Sequence, residues 1–429
     1  MSEQAVPKGY KKTEVGVIPE DWKVVSLGDV ADIYSGATPS TQVAEYWNGT
    51  IPWCTPTDIT STNGKYLFDT GRKITPEGLA SCGATLLPKG ALLLCSRATI
   101  GEVKIAATEV STNQGFKSLV CKDDVDNEYV YYLLLTLKSK FIERANGSTF
   151  LEIGRKDVIE IPIPLPPLPE QRAIAAALSD VDALLAALDA LIAKKRAVKQ
   201  AAMQALLTGR VRLPGFTGAW KKVVLGDHVK FLKTGSYSRA QLTNNGPVKY
   251  LHYGDIHAAT AVWLDAKEIP IPRISEEQAV NLNLLQCGDV VFVDASEDLE
   301  GVGKSVEITD VPNGGLVAGL HTIAARFDKS ILADGFKGYL QLIPDFRRQL
   351  LRFATGTKVY AIQRSHIAAI EINLPDVDEQ RAIAAVLSDM DAEIAALEAR
   401  REKVRQVKQG MMQVLLTGKV RLVEQDEVV

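Results

Sequence analysis

The sequence predicts an α+β fold built twice: a β-rich globule followed by a long helix, then both again. Three observations carry this. First, Glu170-Gln-Arg-Ala-Ile-Ala-Ala returns as Glu379-Gln-Arg-Ala-Ile-Ala-Ala, and the match runs ungapped, with 30 of 44 positions identical between 170–213 and 379–422. Second, apolar residues in both copies keep the three-four spacing of a helical seam. Third, the stretches before each copy alternate short apolar runs with Gly, Pro and Asn turns, the pattern of strands.

Taken in order, residues 1–19 form a polar N-terminal segment ending at Ile18-Pro-Glu-Asp-Trp22. Residues 20–164 form the first globule, a curved, mainly antiparallel sheet with strands in Trp22–Ile33, Ile51–Trp53, Ala91–Cys95, Val103–Ala106 and Ser118–Cys121. One helix is expected near Asn127–Ala145, with Val130, Leu133, Leu134 and Leu137 on one face. Ile161-Pro-Ile-Pro-Leu-Pro-Pro-Leu-Pro169 reads as a stiff extended connector.

Residues 165–213 contain the first long helix. Its seam is Ile174, Leu178, Val181, Leu185, Leu188 and Ile192. The second helix, in 375–422, repeats it with Ile383, Leu387, Met390, Ile394 and Leu397. Pro169 suits a first helical turn, and Asp376 with Glu379 has capping-box spacing. Gly209 and Gly418 sit where a left-handed residue ends a helix. About forty residues make a rod of roughly 60 Å that cannot bury its stripe alone, and its twin is the obvious partner. The seam decays into charge at Lys195, Lys199, Arg401 and Lys408, where a globular core would stay apolar. That suits a rod that separates two objects and offers its outer faces to partners.

Residues 214–374 form a second globule that retraces the first, and 423–429 are a C-terminal tail. Trp220 with Leu225-Gly-Asp matches Trp22 with Leu27-Gly-Asp; Asp255-Ile matches Asp58-Ile; Gly288 matches Gly90. Gly356-Thr-Lys and Arg364 match Gly147-Ser-Thr and Arg155. These echoes are sparse, whereas the helices are near-identical. One fold carrying different surfaces points to two different binding specificities.

The chain has 429 residues, 46% apolar, with net charge −3. No overall basic field announces nucleic acid, so any DNA surface is local. Five cysteines without a CxxC or a Cys/His cluster point to reduced thiols in a cytosolic protein, not to disulfides or zinc. No signal peptide or long apolar run is present, which points away from secretion and membrane spanning.

Gly301-Val-Gly-Lys-Ser305 resembles part of a phosphate-binding loop. The position that the full pattern reserves for its first glycine is Asp298, so a hairpin turn is the better account. No methyltransferase tetrad, nuclease acid pair or histidine ligand spacing is visible. The chain is expected to carry no catalytic centre, metal or cofactor.

Tyr10-Lys-Lys-Thr-Glu-Val-Gly-Val-Ile-Pro-Glu-Asp-Trp22 resembles the N-terminal signature of specificity subunits of type I restriction–modification enzymes. Pro164-Leu-Pro-Pro-Leu-Pro-Glu-Gln-Arg-Ala-Ile and the two Leu-Leu-Thr-Gly closures resemble their conserved helical regions, and the likeness spans roughly residues 10–422. It implies two target-recognition domains, each reading one half of an asymmetric, gapped double-stranded DNA target. It also implies that the two helices pack as an antiparallel coiled coil that sets the spacing and docks two modification subunits. S-adenosylmethionine would belong to those subunits, and ATP and Mg with DNA cleavage to restriction subunits. One departure is that Ser35-Gly-Ala-Thr-Pro39 is replaced by Thr234-Gly-Ser-Tyr-Ser238 in the second globule.

DNA is read by loops that set Arg, Asn, Gln and hydroxyl side chains at base edges. In the first globule the candidates are Ser96, Arg97, Thr99, Asn113, Gln114, Arg155 and Lys156, with Gly147-Ser-Thr. In the second they are Tyr237, Arg239, His252, Tyr253, His321, Lys358, Tyr360 and Arg364. A competing expectation is a coiled-coil scaffold that binds only protein, which the low net charge favours.

Overall fold

The computed structural model describes residues 6–147, 151–356 and 358–422. Ser148, Thr149, Thr357 and the 423–429 tail, all named above, lie outside the described residues. The chain divides into two compact units, Met1–Ala190 with Glu398–Val429, and Leu191–Leu397. Each unit therefore holds one globule, part of the helix Leu168–Leu206 and part of the helix Val377–Leu415, both 39 residues long.

In the first unit a five-stranded sheet runs in the order Ala31–Ser35, Lys117–Cys121, Leu92–Leu94, Val103–Ala106 and Tyr66–Leu67. All its neighbours are antiparallel except the last pair. A second sheet sets Trp47–Cys54 between Ser111–Thr112 (parallel) and Lys73–Ile74 (antiparallel). The second unit repeats this order with Val229–Leu232, Thr322–Phe327, Val290–Val293, Ser305–Asp310 and Trp263–Asp265. There Val248–Leu251 lies between Leu316–Ala318 (parallel) and Arg273–Ile274 (antiparallel). The parallel pairs qualify the expectation of a mainly antiparallel sheet without removing it.

Three elements differ from the sequence expectation. The proline-rich connector is a strand: Pro162–Leu165 pairs antiparallel with Lys23–Ser26. This two-stranded sheet is all edge, so Pro162 and Pro164 can sit where no ladder donor is required. Its counterpart pairs Glu371–Leu374 with Lys221–Val224. The expected helix over 127–145 is two, Asn127–Thr136 and Lys138–Glu143, separated at Leu137, whose ψ of 5° leaves the helical range. Residues Tyr10–Thr13 and Gly16–Pro19 form a hairpin.

The two long helices run antiparallel. In the first unit Asp182 pairs with Lys408 and Asp189 with Arg401; in the second, Lys195 pairs with Glu393 and Lys199 with Asp391. Each step forward along one helix is a step back along the other. The charges that interrupt the apolar seam thus hold the register. The Asp182–Lys408 and Asp391–Lys199 pairs are the same pair with the helices exchanged.

The seam itself divides its work. Ile174 and Leu178 are fully buried in the core of the first globule with Trp22, Leu27 and Tyr129. Ile383 and Leu387 are buried likewise in the second. Burying each is worth about 2 kcal/mol, and this fixes helix to globule. Leu188, Ile192 and Ile394 are buried, while Val181, Leu185, Met390 and Leu397 are half-buried.

Glu and Gln at the start of each repeat have a physical reason. Gln171 accepts from the Asp126 N–H and donates to the Pro166 carbonyl. Gln380 accepts from the Ala333 N–H and donates to the Ile331 and Pro375 carbonyls. Glu170 is fully buried and takes Arg421 (2.7 Å) and Trp22 Nε1 (2.9 Å); Glu379 takes Arg212 (2.5 Å). Asp376 caps the Glu379 N–H, but the Glu379 carboxylate is engaged by Arg212, so only half of the expected capping box forms. Gly209 and Gly418 have φ of 67° and 68°, the left-handed ends that the sequence called for.

Candidate nucleic-acid interface

In each unit the backbone gathers four loops at one end of the sheets. In the first, the Asn113 N–H bonds the Cys54 carbonyl, Ser96 N–H the Gly115 carbonyl, and Ile153 N–H the Ser96 carbonyl. In the second, the same three bonds run from Gly319 to Leu251, Asp294 to His321, and Ile362 to Asp294. Tight turns close the adjoining hairpins, with Gly101 and Gly303 both at positive φ. Thr55–Asp58 and His252–Asp255 form equivalent capping boxes at the ends of the central strands. The loops that the sequence singled out therefore fall together because corresponding strands end together.

The structure sorts the candidate side chains. Ser96 is fully buried, its Oγ accepting from the buried Lys117, which also pairs with Glu152. Such a hydroxyl braces the loop from inside and is not on the surface. The Thr99 hydroxyl is buried as well. Asn113 spends its carbonyl on the Gly115 N–H, leaving its amide outward-bound functions to the NH2 group. Gln114 is exposed and bonds Thr38. Arg97 is half-buried, opposite Glu152 in a β-bridge.

Arg155 and Arg364 are matched. Arg155 Nε donates to the Ile33 carbonyl (2.7 Å) and Arg364 Nη2 to the Leu232 carbonyl (3.0 Å). Both tie a short helix to the edge strand of their own sheet, a bracing contact that accounts for the repeated arginine. Lys156 is exposed with a loose ion pair to Glu160 at 3.7 Å.

In the second unit Tyr253 is the centre of an aromatic group, with ring centroids 4.4 Å from His252, 5.8 Å from His257 and 5.5 Å from His321. Burial holds His252 and His257 below the ordinary histidine range, helped by Arg239 and Lys304 respectively. His321 has a φ of 56°, rare for a non-glycine residue, and its Nδ1 faces Asp294 at 3.3 Å. Arg239 pairs with Asp255 (2.8 Å). Tyr237 packs on Tyr250, whose hydroxyl accepts its N–H. Tyr360 pairs with Ser296 in a two-stranded ladder, and Lys358 is exposed beside it.

Sequence reasoning missed an aromatic–cation group in the first unit. The Arg72 guanidinium lies 3.7 Å from the Trp47 ring centre and 5.3 Å from that of Trp53. Both indoles donate to the 37–40 loop, at Ser40 and Ala37, and Thr38 of that loop bonds Gln114. Two tryptophans six residues apart in one strand were the available signal. Also missed was a cleft of about 520 Å³ in the second unit lined by Arg239, Lys249 and Arg273 and by no acid. The loop with Gly-Lys-Ser is a hairpin: Lys304 is spent on the His257 and Ala259 carbonyls, and Asp298 accepts from Gly301. Among the described residues no group of His, Cys, Asp and Glu could hold a metal, and no helix is long and apolar enough to cross a membrane.

On the helices, Leu184, Leu191 and Val198 are exposed at heptad spacing, with Val407 exposed on the other helix. An apolar line of this kind on a helix is available to a partner.

Residues 19–195 match the family model of the type I restriction modification DNA specificity domain. The MjaVIII specificity subunit of Methanocaldococcus jannaschii is 26% identical over 94% of both chains. Along nearly its whole length the chain is thus similar to a type I restriction enzyme specificity subunit. The MjaIX specificity subunit of the same organism is 42% identical, in an alignment that spans 41% of each chain. Two solved structures share the fold. The S subunit from M. genitalium is 15% identical with a TM-score of 0.54, covering 92% of this chain and 96% of that one. A chain from a study of assembly and conformational transition of the type I R-M system is 19% identical with a TM-score of 0.61, covering 94% and 99%.

Proposed function

We infer that this chain is the DNA-recognition subunit of a type I restriction–modification complex, with each globule reading one half of an asymmetric, gapped target. One observation carries the reading: two units of the same strand order gather the same four loops, yet clothe them with different side chains. Arg97, Gln114 and Arg72 with Trp47 face one target half; Tyr253, His321, Arg239 and Lys358 face the other. A palindrome would need equal readers. The cleft beside Arg239 and Arg273 would hold a backbone phosphate, positioning without sequence information, while Lys249 is spent on the Ala266, Lys267 and Ile269 carbonyls.

The two helices would offer two modification subunits related but unequal docking surfaces, alike at Val198 and Val407 but with Glu393 and Arg400 where the first helix has Leu184 and Leu191. Methyl transfer, with its S-adenosylmethionine, would then reside in those subunits, and ATP, Mg and cleavage in restriction subunits. The alternative of a scaffold that binds protein alone finds no support in the comparisons.

The test is fluorescence anisotropy with duplex DNA, with and without modification subunits, across a salt series, after methylome mapping has given the target. Binding of the mapped sequence tighter than random duplex by at least a thousandfold, with an affinity that falls as salt rises, is expected. Equal binding of target and random duplex would overturn the reading.

A further inference from the structure

The hairpin that carries Arg97 in the first unit differs in length and charge in the second. Between the same two anchoring bonds it runs over residues 96–100 in one unit and 294–302 in the other. The longer hairpin replaces Arg97 with Ser296-Glu-Asp-Leu-Glu300. It faces a cavity of about 420 Å³ lined by Tyr253, His257, Ser296, Glu297, Asp298 and His321.

Most polar groups around this cavity are engaged. Asp298 accepts from Gly301, Asp294 faces His321 Nδ1, and Ser296 Oγ accepts from the Asp298 N–H. Among the described residues, Glu297 is exposed and makes no hydrogen bond or ion pair. His321 is held at its positive φ with its ring edge-on to Tyr253, so with Nδ1 turned to Asp294 its Nε2 is left for a ligand. The cavity thus combines an aromatic wall, an unspent carboxylate and an imidazole nitrogen, and no Lys or Arg lines it. A phosphate would meet only repulsion from Glu297 and Asp298. Guanine and thymine turn carbonyl acceptors into the major groove, which a carboxylate also repels. Adenine pairs an acceptor with its amino group and asks for a donor and an acceptor together. With its Nδ1 proton turned to Asp294, the neutral His321 ring presents Nε2 as an acceptor, so the cavity has no donor for adenine N7. Cytosine offers a lone amino donor, which a carboxylate accepts.

We propose that this cavity is a base-reading site of the second unit, in which Glu297 accepts the N4 amino group of a cytosine against the Tyr253–His321 wall. The proposal rests on the DNA-recognition reading and deepens it. The first unit sets Arg97 in the equivalent hairpin, where the second has Ala295 at that ladder position and acids in the residues that follow, so the two hairpins carry opposite charge.

The experiment is selection from a randomised duplex library by the full chain with modification subunits, for the wild type, Glu297→Ala and His321→Gly. Glycine adopts the positive φ freely, so the second variant removes the ring and keeps the turn. Both variants are expected to lose discrimination at one and the same C·G pair of one half-site, by roughly ten- to a hundredfold, with the other half-site and the salt slope unchanged. The proposal is overturned if the relaxed position is an A·T pair, if the selected sequences do not change, or if binding weakens evenly with a shallower salt slope, the mark of a phosphate contact. A wild-type complex that selects no sequence at all would sink the DNA-recognition reading along with it.

Discussion

Two arginines 209 residues apart do the same job with unequal help. Arg421 joins the buried Glu170 to Asp21, and Trp22 Nε1 also donates to Glu170. Arg212 holds the buried Glu379 alone, because Ala219 stands where Asp21 would and the Trp220 Nε1 is buried without a partner. Removing one member of a buried pair costs about 3–5 kcal/mol, since it strands the other charge. Arg212→Ala should destabilise the second unit by stranding the buried Glu379 carboxylate, whereas Arg421→Ala should cost less because Trp22 still donates to Glu170. Hydrogen exchange of amides in each unit measures the two separately, and an equal loss in both would count against the indole's role. The same scale holds a titration. All five histidines lie between 228 and 366, and burial holds His252 and His257 below their ordinary range. Each stays neutral further into acid than a free histidine, so its contribution to stability is present above the unfolded value near 6.5 and lost as pH falls toward the folded one. NMR titration of the imidazoles should find both midpoints below 6.5.

At the scale of elements, the long helices and several strands were legible, and the pairing of the strands was not. Heptad spacing, the glycines at 209 and 418 and the repeated Glu-Gln-Arg are local signals, each set by one turn of chain. What the sequence could not display was pairing at a distance: that Pro162–Leu165 closes a ladder with Lys23–Ser26, or that Arg155 reaches the Ile33 carbonyl across 122 residues. The candidate loops were picked out by their repeated positions, but Ser96 looked like a surface hydroxyl because burial by Lys117 and Glu152 is a tertiary fact. Glu297 was passed over since it has no counterpart in the shorter hairpin. The charged interruptions of the seam illustrate the same boundary. Lys408 pairs with Asp182 and lies 5.2 Å from the Tyr132 ring centre, while Tyr132 donates to Asp182. Asp182→Lys should destabilise the first unit by about 1 kcal/mol or more through like-charge contact, and adding Lys408→Asp should recover most of it. A double-mutant cycle by urea unfolding measures the coupling; independent, additive losses would remove the pair from the helix register.

For the whole molecule, the two helices are the covalent route between the globules, which under the proposed function makes their length a prediction about DNA. Seven added residues lengthen a helix by roughly 10 Å and rotate it to within about 20° of two full turns, so the seam faces stay matched. Inserted after Leu188 and after Leu397, the heptads leave Asp182–Lys408 on one side and Lys195–Glu393 with Lys199–Asp391 on the other. Of these four ion pairs, Asp189–Arg401 is the one separated. Both units keep their own cores because Ile174 and Leu178, and Ile383 and Leu387, stay beside the globules they enter. If the helices set the gap between half-sites, the recognised sequence should gain about three base pairs of spacing at 3.4 Å each, with both half-sites unaltered. Methylome mapping of the double insertion reads this directly. Inserting five residues instead rotates each helix by roughly 140° from register and should abolish methylation, since the seam and the Glu170–Arg421 end could no longer be satisfied together. A heptad mutant that methylates with its original gap would show that something other than helix length fixes the spacing.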